Sequence, residues 1–360
     1  MEKDIKTENK PVLLSFAAID QYVESNIIVP TEIDSKKGFI SWGVDNDYPD
    51  YVLSLYNDVA TLKSIVDGLT DYVTGDGVVV NLEQYKGAIN AKGETLEDIL
   101  SLCAKDYCIY GGFALNIIKN ILGTVAEIYY LDFSQVRSNE DRTKFYYSKD
   151  WSKSWGRVKF LEYPAYTDEK ENVNSVFYFS NEYNKVYPTP IYGASLKSCE
   201  IEKAINEYHL NSIHNNFNGS YIVNFNGGKP TDEQKEEIED NFYEKYTGYQ
   251  NGNRPVLSFN DSKDHEVTIT KIDSDDFGER YESLSKRSKQ ELFTAFRAIP
   301  ALFGIMTETT GFSEQEFKEA FKLFSRTMVK PIQNKLVGAF EKILGKDCIE
   351  ITPFKINWEI

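Results

Sequence analysis

The chain has 360 residues and a net charge of −16, with 41% hydrophobic and 27% charged residues, the profile of a soluble globular protein of two or three domains. So acidic a chain is no simple wrapper of nucleic acid, which needs a basic footprint, although an acidic wall lets nucleic acid slide past without sticking. No stretch approaches the roughly 18 apolar residues of a membrane span, and the polar start Met1-Glu2-Lys3-Asp4 lacks the apolar core of a secretion signal.

Residues 1–40 read as irregular, with strand-like pieces such as Val12-Leu13-Leu14. Trp42 to Pro49 reads as a turn-rich loop, and Leu62, Ile65, Val66, Leu69 and Val73 then recur at helical spacing. Thr95 is an expected N-cap with Asp98 at the capping-box position. The buried side of that helix would be Leu96, Ile99, Leu100, Cys103 and Tyr107. Gly111-Gly112 should end it and release a strand, Phe113 to Ile118, paired with a second from Val125 to Leu131. Residues 142–180 alternate aromatic and polar side chains and read as a strand meander.

Tyr187-Pro188-Thr189-Pro190 is a stiff connector, since each proline disfavours helix before it. From Ser195 a helix runs to about Asn216, with Ile201, Ala204, Ile205 and Tyr208 on its expected buried face. Tyr221 to Phe225 reads as a strand, and Thr231 with Gln234 as a capping box. Val256 to Phe259 and Glu266 to Ile272 read as further strands, which makes 218–272 a small α/β insert between two helices. The returning helix, about Asp275 to Ile299, carries the stripe Phe277, Tyr281, Leu284, Leu292 and Phe296, and Pro300 stops it. After a loop, Ser313 with Glu316 should cap a long helix to about Leu344, lined by Phe317, Phe321, Phe324, Met328, Ile332, Leu336 and Phe340. Pro331 inside this pattern removes one backbone donor and should kink the helix. A short strand-like tail closes the chain, so the fold class is α+β.

The chemistry-bearing motifs are few. There is no phosphate loop of the G-x-x-x-x-G-K-[ST] type and no G-x-S-x-G elbow. Gly75-Asp76-Gly77 lacks the third glycine of a dinucleotide fingerprint and reads as a helix-to-strand turn. Asp273 to Gly278 resembles a calcium loop only until Phe277 takes a ligand position, and an acidic helix start is the better reading. His209 and His214 are five apart, which is wrong for a metal pair on one helix face. The four scattered cysteines, Cys103, Cys108, Cys199 and Cys348, read as buried free thiols in a reducing compartment. No catalytic residue, metal site or cofactor is expected. The 24 Tyr and 22 Phe fit large buried or intersubunit contacts.

The order helix, insert, returning helix, loop, kinked helix resembles the portal proteins of tailed bacteriophages in their compact form, from about Trp42 to Leu344. Several segments carry the likeness. They are Tyr110-Gly111-Gly112-Phe113, Phe217-Asn218-Gly219-Ser220, Tyr246-Thr247-Gly248 through Arg254, and Val329-Lys330-Pro331-Ile332. The most telling is Phe296-Arg297-Ala298-Ile299-Pro300-Ala301-Leu302-Phe303-Gly304 with its downstream kink.

The resemblance implies a portal-like subunit: a mixed α/β wing over 1–190, stem helix 1 over 191–217, a clip over 218–272 and stem helix 2 over 273–299. It further implies a tunnel loop over 300–312 and a kinked wing helix with C-terminal strand over 313–360, the crown being absent or vestigial. It implies a homo-oligomeric ring, dodecameric, at a capsid vertex of the virion, assembled in the host bacterial cytoplasm and conducting double-stranded DNA non-specifically. The large terminase, a head–tail adaptor and the major capsid or scaffold protein would be partners, with no membrane. Thr307, Glu308, Thr309 and Thr310 would form the loop tip facing DNA, and Glu279, Glu282, Lys286 and Lys289 the channel-lining stripe of the stem. The competing readings are another structural or adaptor subunit of a large particle, and an intracellular enzyme with an acidic pocket.

Overall fold

A computed structural model describes residues 31–34, 38–151, 158–182, 184–214, 222–225, 231, 234, 256–259, 275–304 and 314–355. The expected strand pieces near Val12 and over Glu266–Ile272, and His265, lie outside the described residues. The backbone divides into two compact units, one of residues 28–200 with 286–360, the other of 1–27 with 201–285.

The larger unit opens with strands β1 (Glu32–Asp34) and β2 (Ile40–Trp42), an antiparallel pair. Helix α1 (Tyr48–Asp58) follows, then α2 (Ala60–Thr74). The expected loop around Pro49 is therefore shorter than its turn residues suggest. Proline has no N–H to lose in a first helical turn, so Pro49 starts α1 rather than preventing it. In α2 the stripe Leu62, Ile65, Val66, Leu69 and Val73 is wholly buried. Gly75, at φ +66, leaves no room for a side chain, because a Cβ there would sit 2.0 Å from the Thr352 carbonyl oxygen. It turns the chain into β3 (Val78–Val80).

Helix α3 (Leu96–Tyr110) begins with the expected capping box: Thr95 Oγ1 accepts from Asp98 N–H at 3.2 Å, and Thr95 N–H donates to Asp98 Oδ2 at 2.8 Å. Gly111, at φ +87, ends it and releases β4 (Gly112–Lys119), which pairs antiparallel with β5 (Val125–Leu131). Strands β6 (Val136–Ser138), β7 (Lys144–Tyr147) and β8 (Leu161–Pro164) form one three-stranded sheet. Strand β9 (Asn174–Ser180) instead joins β4 on its other side, so the sheet order is β5-β4-β9. The expected meander thus splits between two sheets. The alternation shows which faces are buried, not which neighbour pairs.

Helices α4 (Leu196–His214) and α5 (Asp275–Ala295) contain the two chain positions at which the units divide, 200/201 and 285/286. Helix α6 (Glu314–Phe324) passes through a π-helical turn, Ser325–Val329, into α7 (Lys330–Leu344). Strand β12 (Ile349–Ile351), last in the chain, pairs antiparallel with β3. Helix α7 packs its stripe Ile332, Leu336, Phe340 and Ile343 into the core, and Gln333 Nε2 donates to the Val73 carbonyl of α2 at 3.0 Å. All four cysteines are buried, and no disulfide joins them. In the smaller unit β10 (Ile222–Phe225) pairs parallel with β11 (Val256–Phe259). Thr231 and Gln234 exchange the reciprocal bonds of a capping box, Thr231 N–H to Gln234 Oε1 at 3.1 Å and Gln234 N–H to Thr231 Oγ1 at 3.4 Å. A parallel pair needs a crossover between its strands, and that box stands between them. The mixed helix-and-strand architecture is the α+β class expected.

Two buried polar groups organise the larger unit. The Arg137 guanidinium is fully buried and bonds only neutral acceptors: the Asn46 side chain, the Asn46 carbonyl at 2.9 Å, and the carbonyls of Ser134 at 2.7 Å and Val136 at 3.0 Å. Its plane lies against Trp42 and Trp151, and Trp42 stacks on Tyr187 at 4.6 Å. Asp106 accepts from the Tyr130 hydroxyl at 2.8 Å and Phe133 N–H at 3.2 Å, and its burial pushes the carboxyl well above the usual carboxylate range.

Candidate functional site

Helix α5 ends at Ala295, four residues earlier than the sequence suggests. Arg297 takes the left-handed conformation at φ +50, its N–H bonds the Thr294 carbonyl at 3.0 Å, and Ala298 N–H bonds the Phe293 carbonyl at 2.8 Å. Those two bonds are the helix-ending Schellman pattern. It turns the chain before Pro300, which then starts a single 3-10 turn, Pro300–Phe303, closed by Gly304 at φ +74.

That turn is bolted to α2. The Tyr72 hydroxyl donates to the Leu302 carbonyl at 2.7 Å. The Phe303 ring fills a notch at Gly68, where a Cβ would lie 2.8 Å from Phe303 Cδ1. Tyr72, Phe293 and Phe324 surround the ring with centroids at 5.9, 6.2 and 5.6 Å. Tyr72 also meets Phe321 at 5.7 Å, so the exit from α5 and the start of the long helix are held on one aromatic cluster. Residues 305–313, with Thr307, Glu308, Thr309 and Thr310, lie between these two anchored ends and outside the described residues.

The long helix behind the loop carries its proline without a break in helical structure. Lys330 N–H bonds the Ser325 carbonyl, five residues back, and Pro331 sits in the first turn of α7. The wider π turn relieves the clash a proline ring makes with the carbonyl four residues earlier.

The start of α4 and the end of α5 are cross-linked. Ser198 Oγ donates to Glu291 Oε2 at 2.5 Å, Ser195 Oγ to the Glu291 carbonyl at 3.3 Å, and Tyr192 stacks on Phe296 at 5.1 Å. The Ser198 hydroxyl and the Arg287 guanidinium hold the Glu291 carboxyl below its ordinary pKa. Within the smaller unit Tyr208 stacks on Tyr281 at 4.7 Å.

Of the stripe expected to line a channel, Glu282, Lys286 and Lys289 are exposed, and Glu279 belongs to α5 but its side chain is outside the described residues. Their spacing puts them on one side of the helix, charges of both signs interleaved. The expected apolar face of α4 is not buried. Ile205 is, but Ile201 is 40% exposed and Tyr208 45%, and Leu284 on α5 is 44% exposed. A helical stripe in a sequence shows only that a face is apolar, not whether the same chain covers it.

Phe303 falls within the Phe296–Gly304 stretch singled out in the sequence, but its partners Gly68, Tyr72 and Phe354, whose ring lies 5.0 Å from Tyr72, escape motif reading. Their one sequence signal is Gly68 itself, a glycine within an apolar helical stripe, which marks a close approach by another element. Among the described residues no group of three His, Cys, Asp or Glu side chains could hold a metal ion. Nor, among them, is any helix long and apolar enough to cross a membrane.

The fold is one found in gene transfer agent (GTA) particles. A chain of the virion of a native GTA particle superposes with a TM-score of 0.53 at 17% identity, over 84% of this chain and 83% of that one. A chain from the neck of a native GTA particle, computed with C12 symmetry, gives 0.52 at 16% with the same coverage. One from the neck of an empty GTA particle, computed with C6 symmetry, gives 0.51 at 15%, again over 84% and 83%. The sequence model of the phage portal protein matches residues 91–356, and the chain belongs to the phage portal protein family. That family is structural rather than enzymatic. Comparison with curated proteins finds no match.

Proposed function

We propose that the chain is the repeating subunit of a dodecameric portal ring, set at one vertex of a phage-type virion and assembled in the bacterial cytoplasm. Double-stranded DNA passes through its centre during packaging and ejection. Residues 191–217 and 273–299 form the stem around the lower channel. The clip, 218–272, docks the large terminase during packaging and a head–tail adaptor afterwards, and the wing, 1–190 with 313–360, meets the capsid or scaffold protein. Glu279, Glu282, Lys286 and Lys289 face the channel, with Thr307, Glu308, Thr309 and Thr310 at the tip of the loop nearest DNA. Pro331 and the π turn before it let the long helix bend beneath that loop.

The observation that carries this reading is that Leu302 and Phe303 before residues 305–313, and Phe321 after them, all meet the Gly68–Tyr72 notch. A loop whose two ends are locked to the body can extend into a channel without loosening the ring. Exposed Ile201, Tyr208, Leu210 and Leu284 on the stem helices support it, since a head-to-tail ring needs apolar faces that a lone subunit leaves open. The C12 symmetry of the native GTA neck supports the subunit number. An acidic chain supports sliding, because fixed lysine or arginine contacts to phosphate would act as friction.

Native mass measurement and negative-stain imaging of the purified chain test the proposal. The expected result is a closed ring of twelve copies with a central hole wide enough for duplex DNA. A monomer at all concentrations overturns it, and a ring whose hole excludes duplex DNA assigns the chain to an adaptor role instead.

A further inference from the structure

The hairpin joining β4 and β5 ends in two large aliphatic side chains that are left open to solvent. Ile121 is 100% exposed and Leu122 75%. The turn that presents them is closed by its own bonds: Asn120 Oδ1 accepts from Leu122 N–H at 2.9 Å and Thr124 N–H at 3.0 Å, and Asn120 N–H donates to the Thr124 carbonyl at 2.9 Å. An ordered turn holding neighbouring aliphatics in water is costly to keep unless something covers them.

The segment between β8 and β9 lies beside this tip. Lys119 N–H donates to the Val173 carbonyl at 2.8 Å, and Val173 adds a third exposed aliphatic side chain. Lys119 is buried, and its ammonium bonds the carbonyls of Thr167 at 2.5 Å and Glu169 at 3.1 Å. The charged groups exposed on that segment are Asp168, Glu169 and Glu171 against Lys170 alone. The result is an apolar knob with a net-acidic segment as its collar on one side, where the Lys170 stem packs beside Gly123 of the turn.

We propose that this tip plugs an apolar cleft bordered by lysine or arginine side chains on the shell protein of the particle, an assignment that rests on the portal reading above. The collar decides the partner. A second copy of a chain with net charge −16 offers mostly carboxylate to it, and anionic lipid headgroups would be repelled in the same way. A basic-rimmed cleft satisfies both the knob and the collar.

The test uses full-length chains: wild type, Ile121→Ser/Leu122→Ser, and Glu169→Lys/Glu171→Lys. Each is checked by thermal melting and native mass, then co-assembled with the shell protein of the same particle, counting shells that contain a ring. Both variants should melt and form rings as the wild type does, and their incorporation should fall about tenfold or more, as expected when a central apolar anchor or its charge match is lost. Wild-type incorporation by either variant overturns the proposal. Loss of ring formation also overturns it, assigning the tip to contacts between copies. So does wild-type binding to anionic vesicles that the serine variant lacks. A wild-type chain that forms no rings and enters no shells fails the portal reading itself, before any variant is compared.

Discussion

Replacing Gly68 by alanine should destabilise the protein, although alanine is the better helix former. A Cβ at this position in α2 would lie 2.8 Å from Phe303 Cδ1 and 3.0 Å from Cε1. The ring cannot retreat freely, because Tyr72, Phe293 and Phe324 stand at 5.9, 6.2 and 5.6 Å around it. Each such aromatic contact contributes about 0.5–1.5 kcal/mol beyond area burial, so displacing Phe303 forfeits roughly 2–3 kcal/mol. Alanine returns about 1 kcal/mol of helix propensity. The net expectation is a loss of about 1–2 kcal/mol, read from urea midpoints at constant slope. In a Phe303→Ala background the clash is gone, so Gly68→Ala should there stabilise by about 1 kcal/mol. The sign reversal between the two backgrounds is the signature of the notch. A Gly68→Ala variant that is equally stabilising in both backgrounds refutes the argument that glycine is kept for Phe303.

Arg137→Met should cost about 3 kcal/mol in urea unfolding, because the carbonyls of Asn46, Ser134 and Val136 lose donors inside the core. Asp106 gives a pH-dependent prediction. Its folded pKa is raised, so above the unfolded value near 4 the unfolded chain releases a proton that the folded chain keeps, and stability falls as pH rises toward the folded pKa. Asp106→Asn, whose amide oxygen can still accept from Tyr130 and Phe133, should remove that slope and be relatively more stable at pH 7 than at pH 4 in thermal melts at both values. Glu308→Lys in the proposed tunnel loop should leave ring assembly intact, strengthen salt-sensitive DNA retention by purified rings, and slow packaging. Unchanged DNA retention across a salt series would remove that loop from the channel.

Local signals read well from the sequence wherever one short segment settles the outcome. The Thr95–Asp98 and Thr231–Gln234 boxes, the Gly111 stop and the buried stripe of α2 depend on residues within a few positions of one another. Sites that need a distant partner do not read. That β9 leaves β8 for β4 depends on sheet pairing across the chain, not on the alternation within residues 174–180. The early end of α5 depends on Arg297 accepting a left-handed conformation, which no residue preference announces. The Phe303 notch joins Gly68 to a residue more than two hundred positions away, and only the glycine's oddity in an apolar stripe hints at it.

Helices α4 and α5, the proposed stem, are not fully covered within one subunit. Toward their roots the side chains are satisfied within the chain: Leu292 and Phe296 are fully buried, and Ser195 and Ser198 hold Glu291. Farther along, Ile201, Leu210 and Leu284 lie open, while Tyr208 and Tyr281 stack on each other beside His209. A helix stabilised at one end and exposing aliphatic residues at the other is poorly designed for a monomer, since isolated helices draw most of their stability from a packed face. Neighbouring copies standing side by side would supply that face. If the proposed ring forms, Ile201→Ser with Leu284→Ser should lower ring stability far more than it lowers the melting temperature of the separated subunit.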